Sequence, residues 1–411
     1  MHRLKYLVFT AKIILTVFSI FFLISCNKND DSINSGLVNN QVNSINYLVS
    51  ATSLGIVPVS TVKLTAQLAG YPQFNKYMKY SISLYKIVYR TTYKGQPIYA
   101  SGIFSFPANI SDSVPVMVVG NGLIFADEDA PSAFHLPNNY TGFEFIATMG
   151  YFTLIPDMIG FGSSKDLLYP IHNYEHSAKT MIDFIYASGE FIKRNRIPVN
   201  QKKFLTGYSQ GGYIALATLK MIEENPEIGI KIDATAVGAG GFNLINILNN
   251  SLVNNRYPAP SHLVLLLSSY NIMYDWNRPL TDFFQEPYAH TIPNLLSGKY
   301  NRQEIEQHLA FSFDSLLNPK FVFDLKNNKE TDLTNALVAN SIDNWAPKGK
   351  LIIIHSINDD IVPVSDSQQT YEKMVANGSK DVTLTIINTV GHVNSGFAFV
   401  DIVLQWFKNQ K

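Results

Sequence analysis

The amino-acid order predicts an α/β domain: a mostly parallel central sheet with helices on both faces and a helical lid insertion in its later part. Three observations carry this. Two β-rich runs, Tyr80 to Tyr93 and Gln96 to Phe106, alternate Ile, Tyr, Val and Thr with polar residues on either side of Lys94-Gly95, as an antiparallel hairpin does. Short continuous apolar runs then alternate with helical stretches, the pattern of strands buried on both faces. Between Gly240 and Leu351 the alternation stops.

In chain order, Ser60-Thr61 supplies N-cap residues for a short helix reaching Leu68 and ending near Gly70-Tyr71-Pro72. The hairpin follows. Val114 to Val119 is a strand, Thr141 to Met149 a helix, and Tyr151 to Pro156 a strand. A long helix over Tyr174 to Asn195 buries Met181, Ile182, Phe184, Ile185, Ala187 and Phe191. Lys203 to Thr206 is a strand and Tyr213 to Lys220 a helix, and Ile232 to Val237, Leu351 to His355 and Val382 to Ile387 complete the strands. The insertion, about 241–345, is rich in Phe, Tyr, Met and Trp and reads as mostly helical, with its own core. Its place before the Leu351 strand makes it a candidate lid.

The 411 residues carry 32 basic and 32 acidic side chains, so there is no basic field for nucleic acid. The N-terminus departs from this balance. Basic residues His2, Arg3, Lys5 and Lys12 precede a mostly apolar run from Ile13 to Ile24, too short to span a bilayer and typical of a signal peptide. The run ends in Leu23-Ile24-Ser25-Cys26, which resembles the lipobox of bacterial lipoproteins, and Cys26 is the only cysteine. The resemblance implies lipidation at Cys26, a signal peptide over 1–25 and anchoring of an exported chain to the bacterial cell envelope. Residues 26–46, dominated by Asn, Ser and Asp, have little to bury and read as a tether to a domain over 47–411. Asp30-Asp31 after Cys26 resembles a surface-export signal of some lipoproteins.

Chemistry enters at Gly207-Tyr208-Ser209-Gln210-Gly211-Gly212, between a strand and a helix. There G-x-S-x-G forms a nucleophile elbow, with the serine oxygen exposed at a helix N-terminus where N–H groups favour developing negative charge. A base and an acid are required after Ser209. Downstream of Asp359 the chain contains a single histidine, His392, in a loop after the last strand. The acid should lie in the loop after the Leu351 strand, where Asp359 and its neighbour Asp360 are the candidates. Gln210 N–H is one oxyanion donor, and Leu123, in the loop Gly120-Asn121-Gly122-Leu123, is the candidate for the other.

Several motifs together resemble the α/β-hydrolase superfamily. His355-Ser356-Ile357-Asn358-Asp359-Asp360-Ile361-Val362-Pro363 is similar to the acid loop H-G-x-x-D-x-x-V-P, the spacing that selects Asp359. Pro156-Asp157-Met158-Ile159-Gly160-Phe161-Gly162-Ser163-Ser164 is similar to P-D-Y-x-G-x-G-x-S, with Met158 in place of the aromatic residue. Asn340 to Pro347 is similar to the N-x-x-x-x-W-x-P lead-in of bacterial lipoprotein hydrolases related to fungal secretory lipases. The resemblance implies an α/β-hydrolase fold and a serine hydrolase cleaving carboxylic esters or lipids, with no cofactor or metal. In the oxyanion loop Asn121 stands where relatives often carry histidine.

The elbow and acid loop also occur in peptidases and thioesterases, so an amidase on the same fold stays open, as does a surface lipoprotein that binds without catalysis. Gly160-Phe161-Gly162 and Gly238-Ala239-Gly240 lack the third glycine of a dinucleotide-binding turn. His172 and His176, four apart, lack a third metal ligand, and Asp127-Glu128-Asp129 reads as a solvated acidic run.

Overall fold

The structure is a computed structural model and describes residues 46–410. Its centre is a nine-stranded sheet in the order β1-β2-β3-β5-β4-β6-β7-β8-β9. These are β1 (Leu48–Val57), β2 (Ile82–Tyr93), β3 (Gln96–Pro107), β4 (Val114–Gly120), β5 (Phe152–Pro156), β6 (Val199–Tyr208), β7 (Ala234–Gly238), β8 (Lys350–Asn358) and β9 (Val382–Val390). β1, β2 and β3 pair antiparallel and β3 meets β5 antiparallel; every later pairing is parallel. The hairpin turns at Lys94 (φ 50°) and Gly95 (φ 74°), two positive angles that match the right-handed twist of the flanking strands.

The sheet's two faces bury separate clusters because side chains alternate along each strand. Val116 and Val118 of β4 face α2 (Tyr174–Asn195) and α3 (Gln210–Glu224), while Met117 and Val119 face the side of α1 (Val59–Leu68) and α12 (His392–Lys408). α11 (Val364–Ala376) lies between β8 and β9, and its Met374 joins the α2/α3 cluster. One expectation is corrected in detail, and one strand was not foreseen. Thr141 to Met149 forms a 3-10 run over Phe143–Met149, not an α-helix, and begins after Gly142 at φ 88°. β1 was not predicted: nearly all of its residues are exposed, so its sequence has no one-sided apolar alternation to read.

Between β7 and β8 the insertion folds into α4 (Leu244–Val253), α5 (Pro260–Met273), α6 (Tyr288–Leu295), α7 (Arg302–Glu306), α8 (Phe313–Leu316), α9 (Pro319–Lys326) and α10 (Thr331–Asn340). Its apolar interior is continuous with the α2/α3 face. Its two ends are tied together and to α11: the Asp366 carboxylate accepts from Phe242 N–H (2.9 Å) and Asn243 N–H (2.8 Å), and Asn243 Nδ2 donates to Asp343 (2.7 Å). Burial raises the Asp366 carboxyl to about 6 despite these donors. Asn340, first residue of the N-x-x-x-x-W-x-P lead-in, accepts from Tyr174 N–H at the start of α2 (2.8 Å).

Candidate active site

Ser209 occupies the turn between β6 and α3 at φ 56°, ψ −132°, a conformation that L residues rarely adopt. Its N–H donates to Gly238 O (2.9 Å), holding the turn against β7. The flanking glycines are there for space. A Cβ on Gly207 would lie 2.0 Å from Gly211 O, and one on Gly211 would lie 2.1 Å from Gly120 O. Any side chain would push the helix off the sheet and carry Ser209 away from the neighbouring strand ends.

Parallel strands bring three loops to one edge of the sheet, the usual place for a site in an open α/β fold. His392 opens α12 directly after β9; its Nδ1–H donates to Asp359 Oδ2 (2.7 Å), and its Nε2 faces Ser209 Oγ at 2.7 Å, accepting the hydroxyl proton. Asp359 Oδ1 takes Ile361 N–H (2.9 Å) and Val362 N–H (2.8 Å). Burial pushes this carboxyl up, but hydrogen bonds from His355, His392 and the Val362 backbone outweigh it and hold the group well below the usual carboxylate range. Asp360, the alternative acid, points elsewhere: its Oδ1 accepts His392 backbone N–H at 2.7 Å and fastens the helix that carries the imidazole. The two adjacent aspartates thus divide between the ring and the backbone of one histidine.

Two further residues hold this arrangement. His355 is buried at the end of β8, where its Nε2–H donates to Val362 O (3.0 Å) and lies 3.4 Å from Asp359 Oδ2, while Nδ1 accepts from Ser367 Oγ (2.7 Å). Tyr208 donates to His392 O (2.8 Å) and packs its ring 5.0 Å from the imidazole. Neither role was read from sequence; the only signal for His355 was its place as first residue of the acid-loop motif.

Gln210 begins α3 and Leu123 lies in the loop after β4, and neither backbone N–H has an acceptor among the described residues. Gly122, Leu123, Ser209 and His392 all line one cavity of about 790 Å³, within the range of small-molecule sites. Most of the other walls come from outside the insertion: α1, the turn after it, the 137–149 stretch and α12. The insertion contributes His262 and Arg302. Burial, with Arg302, His172 and His392 nearby, lowers His262 to about 3, so its imidazole is neutral at ordinary pH. His172 and His176 are otherwise engaged, with His176 Nε2 accepting Lys94 N–H (3.0 Å) and His172 Nε2 facing Gly240 O (3.4 Å). No cluster of metal-ligating side chains occurs among the described residues. Cys26 and the export segment lie outside them.

Among solved structures, a candidate hydrolase from Legionella pneumophila matches with a TM-score of 0.80 at 23% identity, over 89% of this chain and 98% of that one. A variant of the rice cell wall degrading esterase LipA from Xanthomonas oryzae matches at 0.79 and 21% identity, over 89% and 99%. Candida antarctica lipase A in its closed state matches at 0.64 and 14%, over 89% and 82%. Such identities speak for the fold, which is that of the α/β-hydrolases. No curated protein matches the chain in sequence. The secretory lipase family matches residues 144–410, a span from the stretch before β5 to the end of α12, and the chain is therefore a member of that family and a carboxylic ester hydrolase.

Proposed function

We propose that this hydrolase works through Ser209, His392 and Asp359 and an acyl-enzyme intermediate. The observation that carries the reading is the unbroken hydrogen-bonded line from Ser209 Oγ through the His392 ring to Asp359, 2.7 Å at each link. Ser209 Oγ attacks the ester carbonyl carbon as His392 Nε2 takes its proton, and the ionised Asp359 stabilises the imidazolium. The tetrahedral oxyanion is met by the N–H groups of Gln210 and Leu123, both without an acceptor among the described residues. Collapse returns the proton from His392 to the alkoxy oxygen, which leaves as alcohol. Water, deprotonated by the same imidazole, then attacks the acyl-enzyme and releases the acid.

The test pairs p-nitrophenyl esters with aminoacyl anilides and adds fluorophosphonate labelling. Ester turnover and labelling, both lost in Ser209→Ala, are expected; anilide turnover without ester turnover would make the chain an amidase, and no labelling of folded protein would make it a binder. Export and anchoring through Cys26 complete the proposal, with 1–25 as signal peptide, 26–46 as tether and the insertion about 241–345 as a cap on the catalytic domain. The support is the Leu23-Ile24-Ser25-Cys26 sequence and membership of a family described as secretory. Among the described residues no helix is long and apolar enough to cross a membrane. In cells, Cys26→Ala is expected to abolish incorporation of labelled fatty acid and to release the chain from membranes; retention on membranes would refute the anchor.

A further inference from the structure

We propose that Tyr169 is a positioning residue of the oxyanion site: its hydroxyl fixes the Gln210 side chain and, through it, the direction of the first N–H of α3. This rests on Ser209 being the nucleophile and the Gln210 N–H an oxyanion donor. The Gln210 residue is only 3% exposed, although it is polar and opens a helix. Its Nε2 donates to the Tyr169 hydroxyl oxygen (3.0 Å), and its Oε1 has no hydrogen-bond partner among the described residues. The link to Tyr169 is therefore the one hydrogen bond that orients this amide. The elbow needs such a tether, because Ser209 is strained at φ 56° and the first N–H groups of a helix have no intrahelical acceptor to align them. A side chain fastened in the core keeps the Gln210 backbone from relaxing out of the turn.

Tyr169 is itself held firmly. It is buried in the loop that leaves β5 and leads to α2. A Cβ on Gly160 would lie 2.7 Å from Tyr169 N, and the Phe161 ring centroid is 5.8 Å from that of the phenol. Both residues belong to the motif over Pro156 to Ser164, which thereby acquires a use at the site. The same motif reaches toward the other half of the oxyanion site: Asp157 accepts from the Ser101 hydroxyl and from Ser132 N–H, downstream of Leu123 in the chain. Tyr169 also shares a cavity of about 360 Å³ with Ile124 and Phe125, the residues that follow Leu123. One tyrosine thus stands beside both segments that supply N–H donors. Burial raises the phenol above its ordinary value, so Tyr169 is a neutral O–H at working pH and acts by position, not by proton transfer.

The experiment compares Tyr169→Phe, Gln210→Met and the double variant with wild type in p-nitrophenyl butyrate turnover, inhibition by an alkyl trifluoromethyl ketone, and thermal melting. The ketone carbon takes the Ser209 oxygen, the serine proton passes to His392, and the ketone oxygen becomes an anion at the Gln210 and Leu123 N–H groups. Its Ki therefore reads the oxyanion site. Losing an oxyanion donor outright costs about 10²–10³ in kcat, and a misdirected donor loses part of that. Tyr169→Phe is expected to lower kcat about ten- to thirtyfold with KM within about twofold, and to raise Ki by the same factor as kcat falls. The form of the pH dependence of kcat stays unchanged. Gln210→Met should show a similar loss, and the double variant should be no worse than the poorer single, since both singles break one hydrogen bond. Where one single variant does not fold, the other carries the same test. A Tyr169→Phe kcat or Ki within about twofold of wild type, or losses that multiply in the double variant, would overturn the inference. Ser209→Ala is run beside them: turnover that survives it, or wild type that the ketone does not inhibit, would undo the nucleophile and oxyanion reading instead, so the two failures are distinguishable.

Discussion

The hydrogen-bonded line from Ser209 through His392 to Asp359 and the cavity beside it are built in different ways. Ser209, Asp359 and His392 sit at the ends of β6, β8 and β9, and the ladder pairing β6 to β7, β7 to β8 and β8 to β9 fixes their separation. The cavity walls have no such common frame. They come from α1 near the start of the described chain, the 137–149 stretch, α12 at the end, and two residues of the insertion. The line is set by backbone geometry at the ends of neighbouring strands, whereas the cavity's shape is set by packing between segments far apart in sequence. Changes at the sheet edge should therefore alter rate by orders of magnitude, and changes in the walls should alter preference.

The largest effect is expected for His392→Ala, which removes the proposed base and should lower kcat by about 10⁵-fold or more, read by p-nitrophenyl ester turnover. Asp359→Asn keeps the shape but leaves the ring without its anionic acceptor, and about 10⁴-fold is expected. Asp360→Asn should cost far less, since Asp360 holds only the backbone N–H of His392; an equal loss in both would end the division of labour drawn between the two aspartates. Gly211→Ala tests the frame itself. Its Cβ would meet Gly120 O at 2.1 Å, so a destabilisation of about 3 kcal/mol is expected in urea unfolding.

Smaller effects probe what supports each region. His355→Leu removes a donor facing the Asp359 carboxylate and should lower kcat by about ten- to a hundredfold. His355→Gln, which can restore an N–H donor, should recover part of it; a general packing defect would be equal in both and visible as a lowered melting temperature. Where α11 fastens the insertion, Asp366 has a carboxyl raised by burial from 3.8 to about 6. The folded state then holds this proton more tightly than the unfolded chain, so the contribution is fully present below about pH 4 and is lost as pH rises through 6. At about 1.4 kcal/mol per pH unit the loss is at most about 3 kcal/mol. The stability of wild type relative to Asp366→Asn should fall by up to that amount between pH 4 and 7; a constant difference in urea titrations would show that Asp366 does not titrate there.

The parts legible in advance were those with a local signal. The hairpin, the apolar strands and the long α2 follow from periodicities of two and 3.6, and Ser209 from its small neighbours. What lacked such a signal was missed. β1 is exposed on both faces, so nothing in its composition marks it as the sheet's edge strand. His355 reads as part of an apolar run, and only the fold of the loop after β8 turns its Nε2 to Val362 and Asp359. His262 and Arg302 are single polar residues in helical stretches, like many that face only solvent.

By itself, then, the sequence determined the alternation of the buried strands with helices, the type of reaction its motifs resemble, and a short set of candidate side chains, because these depend on neighbours within a few residues. Tertiary structure decided which aspartate meets the imidazole. It also decided that the cavity is walled mainly by α1, the segments after it and α12, with only two residues from the insertion. The choice between Asp359 and Asp360 turns on side-chain directions one residue apart in a loop, and the cavity is what is left between helices packed on different faces and ends of one sheet. Neither quantity is written in any single stretch of the chain.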